Sequence, residues 1–181
     1  MKKLPAERIA DPDGNPLPAG EKGEVQVRGK LTINSYFKMP DEDAAGFTKD
    51  GFCKTGDLGI LTRKGNLYIH GRLKHIIRVG SYTVMPSEVE EVAVQHPQVG
   101  MAAAIGIPDE IYGETVVLVV SPAQGQTVDA QDIITHCASQ LAKFKVPKKI
   151  IVEPNMPVTR VGKVHRVEVQ NRITNLLKGN A

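Results

Sequence analysis

The feature that most constrains the fold is a switch in hydrophobic period near residue 72. Up to that point short runs such as "GEVQVRG", "GFCKTGDLGILT" and "GNLYIHG" alternate apolar and polar residues, and "DPDGNPLPAG", "DG" and "RKGN" separate them. A period of two puts one row of side chains on a core and the other in water, and the Gly, Pro and Asp clusters supply the chain reversals, so this part reads as antiparallel strand. Beyond residue 72 the spacing lengthens. In "PSEVEEVAVQHP", Val89, Val92 and Ala93 recur at helical spacing, Ser87 is the expected cap with Pro86 ahead of it, and Pro97 ends the helix. "VGMAAAIGIP" and "ETVVLVVSP" read as two strands apolar enough to be covered on at least one face. A second helix starts from Thr127 or Asp129 and lines up Ile133, Ile134, Cys137 and Leu141, "KKIIVEP" is a third strand, and "HRVEVQNRITNLLKG" closes the chain as a helix despite its β-branched residues. The expected class is α+β. A mostly antiparallel-strand part precedes the change near residue 72, and a compact α+β unit with a three-stranded sheet and helices follows it.

Composition narrows the function. At 41% hydrophobic and 24% charged, the 181 residues are those of a folded globular protein. No apolar run approaches the roughly 20 residues of a membrane span. The start "MKKLPAERIADPDG" lacks the apolar core of a signal peptide, so a cytosolic location is expected. Cys53 and Cys137 are the only cysteines, with no CxxC partner or ligand-spaced histidine, which favours free thiols over a disulfide or a metal centre. The positive charge gathers at the C-terminal end, where residues 143–178 hold nine Lys and Arg against two acids, Glu153 and Glu168. Such a cluster is a solvated face, or it meets a phosphate-bearing ligand or an acidic partner. With no tryptophan and 4% aromatics there is little to build a stacking platform for single-stranded nucleic acid.

Several polar residues stand where chemistry can use them. Asp57, between Gly56 and Gly59 in "KTGDLG", is a turn former or a carboxylate able to accept two hydrogen bonds from a vicinal diol such as a ribose. Arg72 is a surface ion-pair partner or a fork onto phosphate or ribose oxygens. Lys163, directly after Gly162 in "MPVTRVGKVHR", is a solvated lysine or a charge delivered to a ligand.

The order and spacing of the pieces select among these readings. "TGDLG" (55–59), "GRLKHIIRVGSYTVMPSEVEEV" (71–92), "GIPDEIYGETVVLVV" (106–120) and "LAKFKVPKKIIVEPNMPVTRVGKVHR" (141–166) together resemble the adenylate-forming superfamily of acyl-CoA synthetases, nonribosomal-peptide adenylation domains and luciferases. The segment from "RIADPDG" to "DEDAAGF" resembles the family's approach to the TGD motif. The resemblance implies that residues 1–73 are the last β-rich subdomain of a large AMP-binding domain, and that 74–181 are its small mobile C-terminal domain. It also implies roles. Asp57 would hold the ribose hydroxyls of ATP or AMP, Ile69 would lie near the nucleotide, Arg72 would contact ribose or phosphate, and Lys74 would be the hinge. Lys163, in the pattern PxxxxGK, would reach the α-phosphate and carboxylate during adenylation. Gly80, Ser81 and Tyr82 would border the passage for the pantetheine thiol, with Ser81 standing where many relatives have a second glycine. Phe144, Lys145 and Lys148 would meet the CoA nucleotide.

The resemblance further implies what lies elsewhere. The phosphate loop, the acyl pocket and the ligands of the Mg2+ that accompanies ATP belong to the family's N-terminal adenylation domain, and 181 residues are too few to hold that domain as well. The expected identity is therefore the C-terminal portion of an acyl-CoA synthetase, inactive alone, with fatty-acid activation as one setting. Two alternatives stay open: part of an enzyme that loads an acyl carrier protein, and a free-standing binding or regulatory module. The context of Lys163 also resembles a site of reversible acetylation by a lysine acetyltransferase and deacetylase. No metal site, nucleic acid or membrane span is expected.

Overall fold

A computed structural model describes residues 6–178. Gly179, to which the last helix is expected to run, lies outside them. The chain forms two compact units, Met1–Lys74 and His75–Ala181.

The first unit is a four-stranded antiparallel meander. Strands β1 (Ala6–Ala10), β2 (Lys22–Arg28), β3 (Cys53–Leu61) and β4 (Leu67–Arg72) pair in sequence order. The alternating side chains Ile9, Val25 and Leu58, with Phe52, form its buried face. Gln26 is also fully buried, and its amide accepts from Arg8 Nε (2.8 Å) and donates to Glu24 (3.2 Å), which spares the core an unpaired polar group. Irregularities break the register of β2 with β3 at Glu24/Gln26 and of β3 with β4 at Leu58/Gly59. A short helix, α1 (Pro40–Gly46), interrupts a part expected to be mostly antiparallel strand. It begins with proline and has Asp41, Glu42 and Asp43 in its first turn, which suit a helix N-terminus, but it buries no residue and so leaves no apolar period to read.

The second unit is α+β as expected, but its sheet has five strands rather than three. The order is β6 (Tyr82–Val84), β5 (Ile77–Val79), β8 (Gly113–Pro122), β7 (Val99–Asp109), with β9 (Lys149–Val152) parallel to β8 on the same side as β5. The two strands not anticipated, β5 and β6, are three residues each and form a hairpin around Gly80-Ser81. Three residues are too few for alternation to emerge from a sequence. The parallel step from β8 to β9 requires a crossover, which α3 (Ala130–Gln140) provides.

Both faces of this sheet are covered, which explains why β8 is an unbroken apolar run. Val116, Leu118 and Val120 face α2 (Pro86–Ala93) and α3 through Val89, Ala93, Ile133 and Cys137. Val117 and Val119 face the other way, toward Met156 and the Val169 and Ile173 side chains of α4 (Arg166–Lys178). Asp129 caps α3, its Oδ1 accepting from the amides of Gln131 (2.8 Å) and Asp132 (3.2 Å). The expected cap of α2 is corrected. The helix starts at Pro86, whose missing N–H costs nothing at a first position, and extended Met85 takes the cap place instead of Ser87.

Candidate functional site

In the first unit, the β3–β4 register sets Asp57 directly opposite Arg72. Arg72 Nε donates to Asp57 Oδ1 at 2.8 Å, and its Nη1 donates to the carbonyl of Thr55 at 3.0 Å. Thr55 in turn accepts from the Asp57 amide (3.0 Å) while its hydroxyl donates to Val25 O (2.9 Å), so the part of β3 that carries the carboxylate is tied to β2; Asp57 lies within this strand and not in the turn its flanking glycines suggest. Asp57 is mostly shielded and Arg72 half exposed. A fixed acid beside a fork of N–H donors at a surface is suited to a ligand that offers hydroxyls to one and anionic oxygens to the other. Ile69 lies on β4 opposite Gly59 and is exposed. Lys74, also exposed, sits in a single 3-10 turn, Leu73–His75, after β4.

In the second unit, two segments 60 residues apart in sequence wall one cleft of about 540 Å³. The β5–β6 turn brings Gly80, Ser81 and Tyr82, and a 3-10 turn at Lys143–Lys145 with its continuation brings Phe144 and Lys148. Tyr82 and Phe144 stack with centroids 4.3 Å apart and planes 14° from parallel. Gly80 has φ +60°, and its amide donates to Tyr112 O at 2.8 Å. Ser81 has ordinary negative φ, so this two-residue turn is of the type that demands glycine only at its first central position. That is the physical reason a serine is accommodated where a second glycine was the reference. Lys145 does not join the others: its ammonium turns to Glu88 on α2, and it does not line the cleft.

Two residues in contact with Lys148, one of them in the cleft lining, had no role in the sequence reading. Tyr112 lies under Lys148, whose Nζ is 4.7 Å from the ring centroid. Asp109 accepts from Lys148 Nζ at 2.9 Å, and that hydrogen bond, with those from the Tyr112 and Ile111 amides, holds its carboxyl below the ordinary value. The Asp-x-x-Tyr-Gly spacing of "DEIYGE" is the signal that was available, since an Asp that accepts from amides two and three residues on is a turn builder.

Lys163 follows the tip of a narrow hairpin. Val158 bridges Val164, the Thr159 amide donates to Lys163 O (2.7 Å), the Gly162 amide to Thr159 O (2.9 Å), and the Lys163 amide to Thr159 Oγ1 (3.2 Å). Gly162 has φ +78° with open space around it, the left-handed position that closes a three-residue hairpin loop. Val161, Gly162 and Lys163 are all exposed. The glycine before the lysine is therefore a requirement of the turn, and the turn presents the ammonium to solvent. Among the described residues no group of three or more His, Cys, Asp or Glu side chains is disposed to hold a metal, and no helix is long and apolar enough to cross a membrane.

The chain resembles known proteins over most of its length. Residues 88–163 match the model of the AMP-binding enzyme C-terminal domain. The chain is 36% identical over 164 residues to the sulfoacetate–CoA ligase of Cupriavidus necator, covering 91% of this chain and 32% of that one. It is 41% identical over 145 residues to the oxalate–CoA ligase of Arabidopsis thaliana, covering 80% of this chain and 28% of the relative. The crystal structure of ATP-bound MatB from Rhodopseudomonas palustris superimposes with a TM-score of 0.85 at 35% identity, over 93% of this chain and 34% of MatB. The chain thus spans about a third of the length of the relatives it matches.

Proposed function

From the premise that residues 88–163 are the C-terminal domain of an AMP-binding enzyme and that the chain resembles the C-terminal third of CoA ligases, we propose that it is the part of an acyl-CoA synthetase that closes over the activated acid. In the first half-reaction a carboxylate oxygen forms a bond to the α-phosphorus of ATP and pyrophosphate leaves. Lys163 supplies positive charge where the anionic oxygens of carboxylate and α-phosphate converge, a contribution of the kind that is strongest in a water-poor site. Asp57 and Arg72 hold the ribose hydroxyls and the adjacent phosphate oxygen, with Ile69 against the nucleotide. Mg2+ accompanies ATP on residues of the N-terminal adenylation domain.

In the second half-reaction the small lobe turns about Lys74, Lys163 withdraws, and the thiol of CoA attacks the acyl carbonyl, releasing AMP as the thiol proton is lost. The cleft between Gly80-Ser81-Tyr82 and Phe144–Lys148 takes the CoA, with Phe144 and Tyr82 offering flat apolar surface and Lys148 a cation. Lys145 does not line the cleft, its ammonium being turned to Glu88, and takes no direct part in this reading. The relatives bear the names of ligases for different acids, so the acid stays open here. A cytosolic setting is in keeping with two free thiols.

The observation that carries the proposal is Lys163, set by a glycine-closed hairpin at the surface of a separate unit, as a charge that must be delivered and withdrawn requires. The expected result is that this chain alone exchanges no pyrophosphate into ATP with any carboxylate, and that exchange appears when it is joined to an N-terminal adenylation domain. Exchange by the chain alone overturns the proposal. In the joined enzyme, thioester formation with free CoA rather than with a phosphopantetheinyl carrier protein assigns the acceptor. The same exposure makes Lys163 a candidate for reversible acetylation, which would remove its charge. Mass spectrometry of the protein from its native cells tests that directly.

A further inference from the structure

Arg166 is the first residue of α4, the place on a helix where a cation is least favourable, because the helix N-terminus is itself positive. The structure resolves the anomaly. The guanidinium is bidentate to Glu90 of α2, Nη1 to Oε1 at 2.6 Å and Nη2 to Oε2 at 2.8 Å. Both groups also serve the backbone of β7. Glu90 Oε1 accepts from the amide of Ala104 at 2.7 Å, and Arg166 Nη1 donates to the carbonyl of Ala104 at 2.9 Å. Two residues along, Gln170 Nε2 donates to Gly106 O at 3.2 Å. Ala104 is opposite Leu118 in the β7–β8 ladder, and these contacts satisfy backbone groups that β8 does not. Side chains thus stand in for a missing neighbouring strand.

The geography matters more than the pairing. Glu90 comes from the helix layer on one face of the sheet and Arg166 from α4 on the other, so the ion pair closes around the edge of the sheet like a clasp. Arg166 lies three residues from Lys163. The His165 amide donates to Pro157 O at 2.7 Å and Val158 bridges Val164, so the base of the lysine hairpin runs straight into the clasped residue. Met156 and Val164 seat that base on the apolar layer beneath α4, whereas beyond it every residue but half-buried Thr159 is exposed.

We propose that the Glu90–Arg166 clasp is a positioning device for Lys163: it fixes the origin of the hairpin against the sheet edge, so that the ammonium arrives at a defined place when the lobe closes. Arg166 touches no reacting atom in this account. The inference rests on the adenylation role given to Lys163.

Two measurements test it. In this chain, Arg166→Met is expected to raise amide hydrogen exchange at Thr159, Gly162 and His165 by at least about tenfold while leaving the β8 core amides unchanged, since a clasp controls local opening rather than the whole fold. In the enzyme joined to its N-terminal domain, Arg166→Met and Glu90→Gln are expected to slow pyrophosphate exchange about tenfold or more through kcat, with thioester formation from preformed acyl-adenylate within about twofold of the parent. Arg166→Lys, which keeps the charge but loses the fork, recovers part of the loss. Arg172→Ala, which removes a pair with Glu168 on the exposed side of the same helix, leaves both half-reactions unaltered. Hairpin exchange that does not change, or that rises in step with β8, overturns the clasp as a local device, as does an equal loss in both half-reactions. If Lys163→Ala abolishes adenylation and Arg166→Met does not, the clasp alone is wrong. If Lys163→Ala is harmless, the underlying functional reading is wrong whatever Arg166 does.

Discussion

Replacing Gly80 by alanine separates the two positions of the turn at the proposed thiol passage. A Cβ added at Gly80 meets only Tyr112 Cδ1, at 3.8 Å, an ordinary contact, so the substitution adds no clash and its cost is conformational. Gly80 has φ +60°, and holding an L-residue in such a region costs about 1–3 kcal/mol. Ser81, at negative φ, gives the contrasting case: Ser81→Gly costs only the added chain entropy, about 0.5–1 kcal/mol. For a unit of this size about 4 °C of Tm corresponds to each kcal/mol, so calorimetry of the 181-residue chain is expected to show a loss of about 4–12 °C for Gly80→Ala and about 2–4 °C for Ser81→Gly, in the transition of the second unit. In the joined enzyme Gly80→Ala slows thioester formation more than pyrophosphate exchange. Gly80→Ala that loses no more Tm than Ser81→Gly would show that the turn does not need its glycine, and the explanation given for Ser81 would go with it.

Other consequences are more direct. Because Lys148 holds the Asp109 carboxyl below its ordinary value, the pair stabilises the fold above the unfolded carboxylate pKa of about 3.9, and the benefit is lost as pH falls through the lower folded value. NMR titration of Asp109 shows this, and Lys148→Ala moves its midpoint upward. Burial raises the Cys137 thiol, so it resists alkylation by a maleimide until the second unit unfolds, whereas half-buried Cys53, raised by burial and by Glu24, reacts slowly in the folded chain; mass spectrometry of the labelled sites distinguishes them. In the joined enzyme Asp57→Asn, which removes the negative charge facing Arg72 and, in the proposed reading, the ribose, is expected to raise KM for ATP about tenfold or more, read by pyrophosphate exchange.

Much of this was legible in the sequence, and for identifiable reasons. The continuous apolar run of "ETVVLVVSP" reports burial on both faces and the fold obeys it; the alternation of "GEVQVRG" marks a strand correctly, but the irregularity at Glu24/Gln26 buries Gln26 beside Val25 and leaves Val27 half-buried. The strands β5 and β6 escaped because a three-residue strand has no period. The α1 helix escaped because it faces solvent all round. Asp57, Arg72 and Lys163 stood out through motif spacing, and the register of β3 with β4 then placed the first two in contact. The Glu90–Arg166 clasp was invisible, since two charges 76 residues apart reveal nothing until the sheet edge brings them together. Lys145 shows the converse: adjacent to Phe144 in sequence and with its ammonium 5.6 Å from that ring, it pairs with Glu88 of α2 and does not line the cleft.

The central claim is that Lys163 serves adenylation and not thioester formation. Lys163→Ala in the joined enzyme tests it, by measuring pyrophosphate exchange and, separately, CoA attack on preformed acyl-adenylate. The account predicts a loss of about 10²-fold or more in the first, as for removal of one preorganised charge-stabilising group, and a change of no more than a few-fold in the second. Undiminished pyrophosphate exchange, or equal losses in both half-reactions, would contradict it.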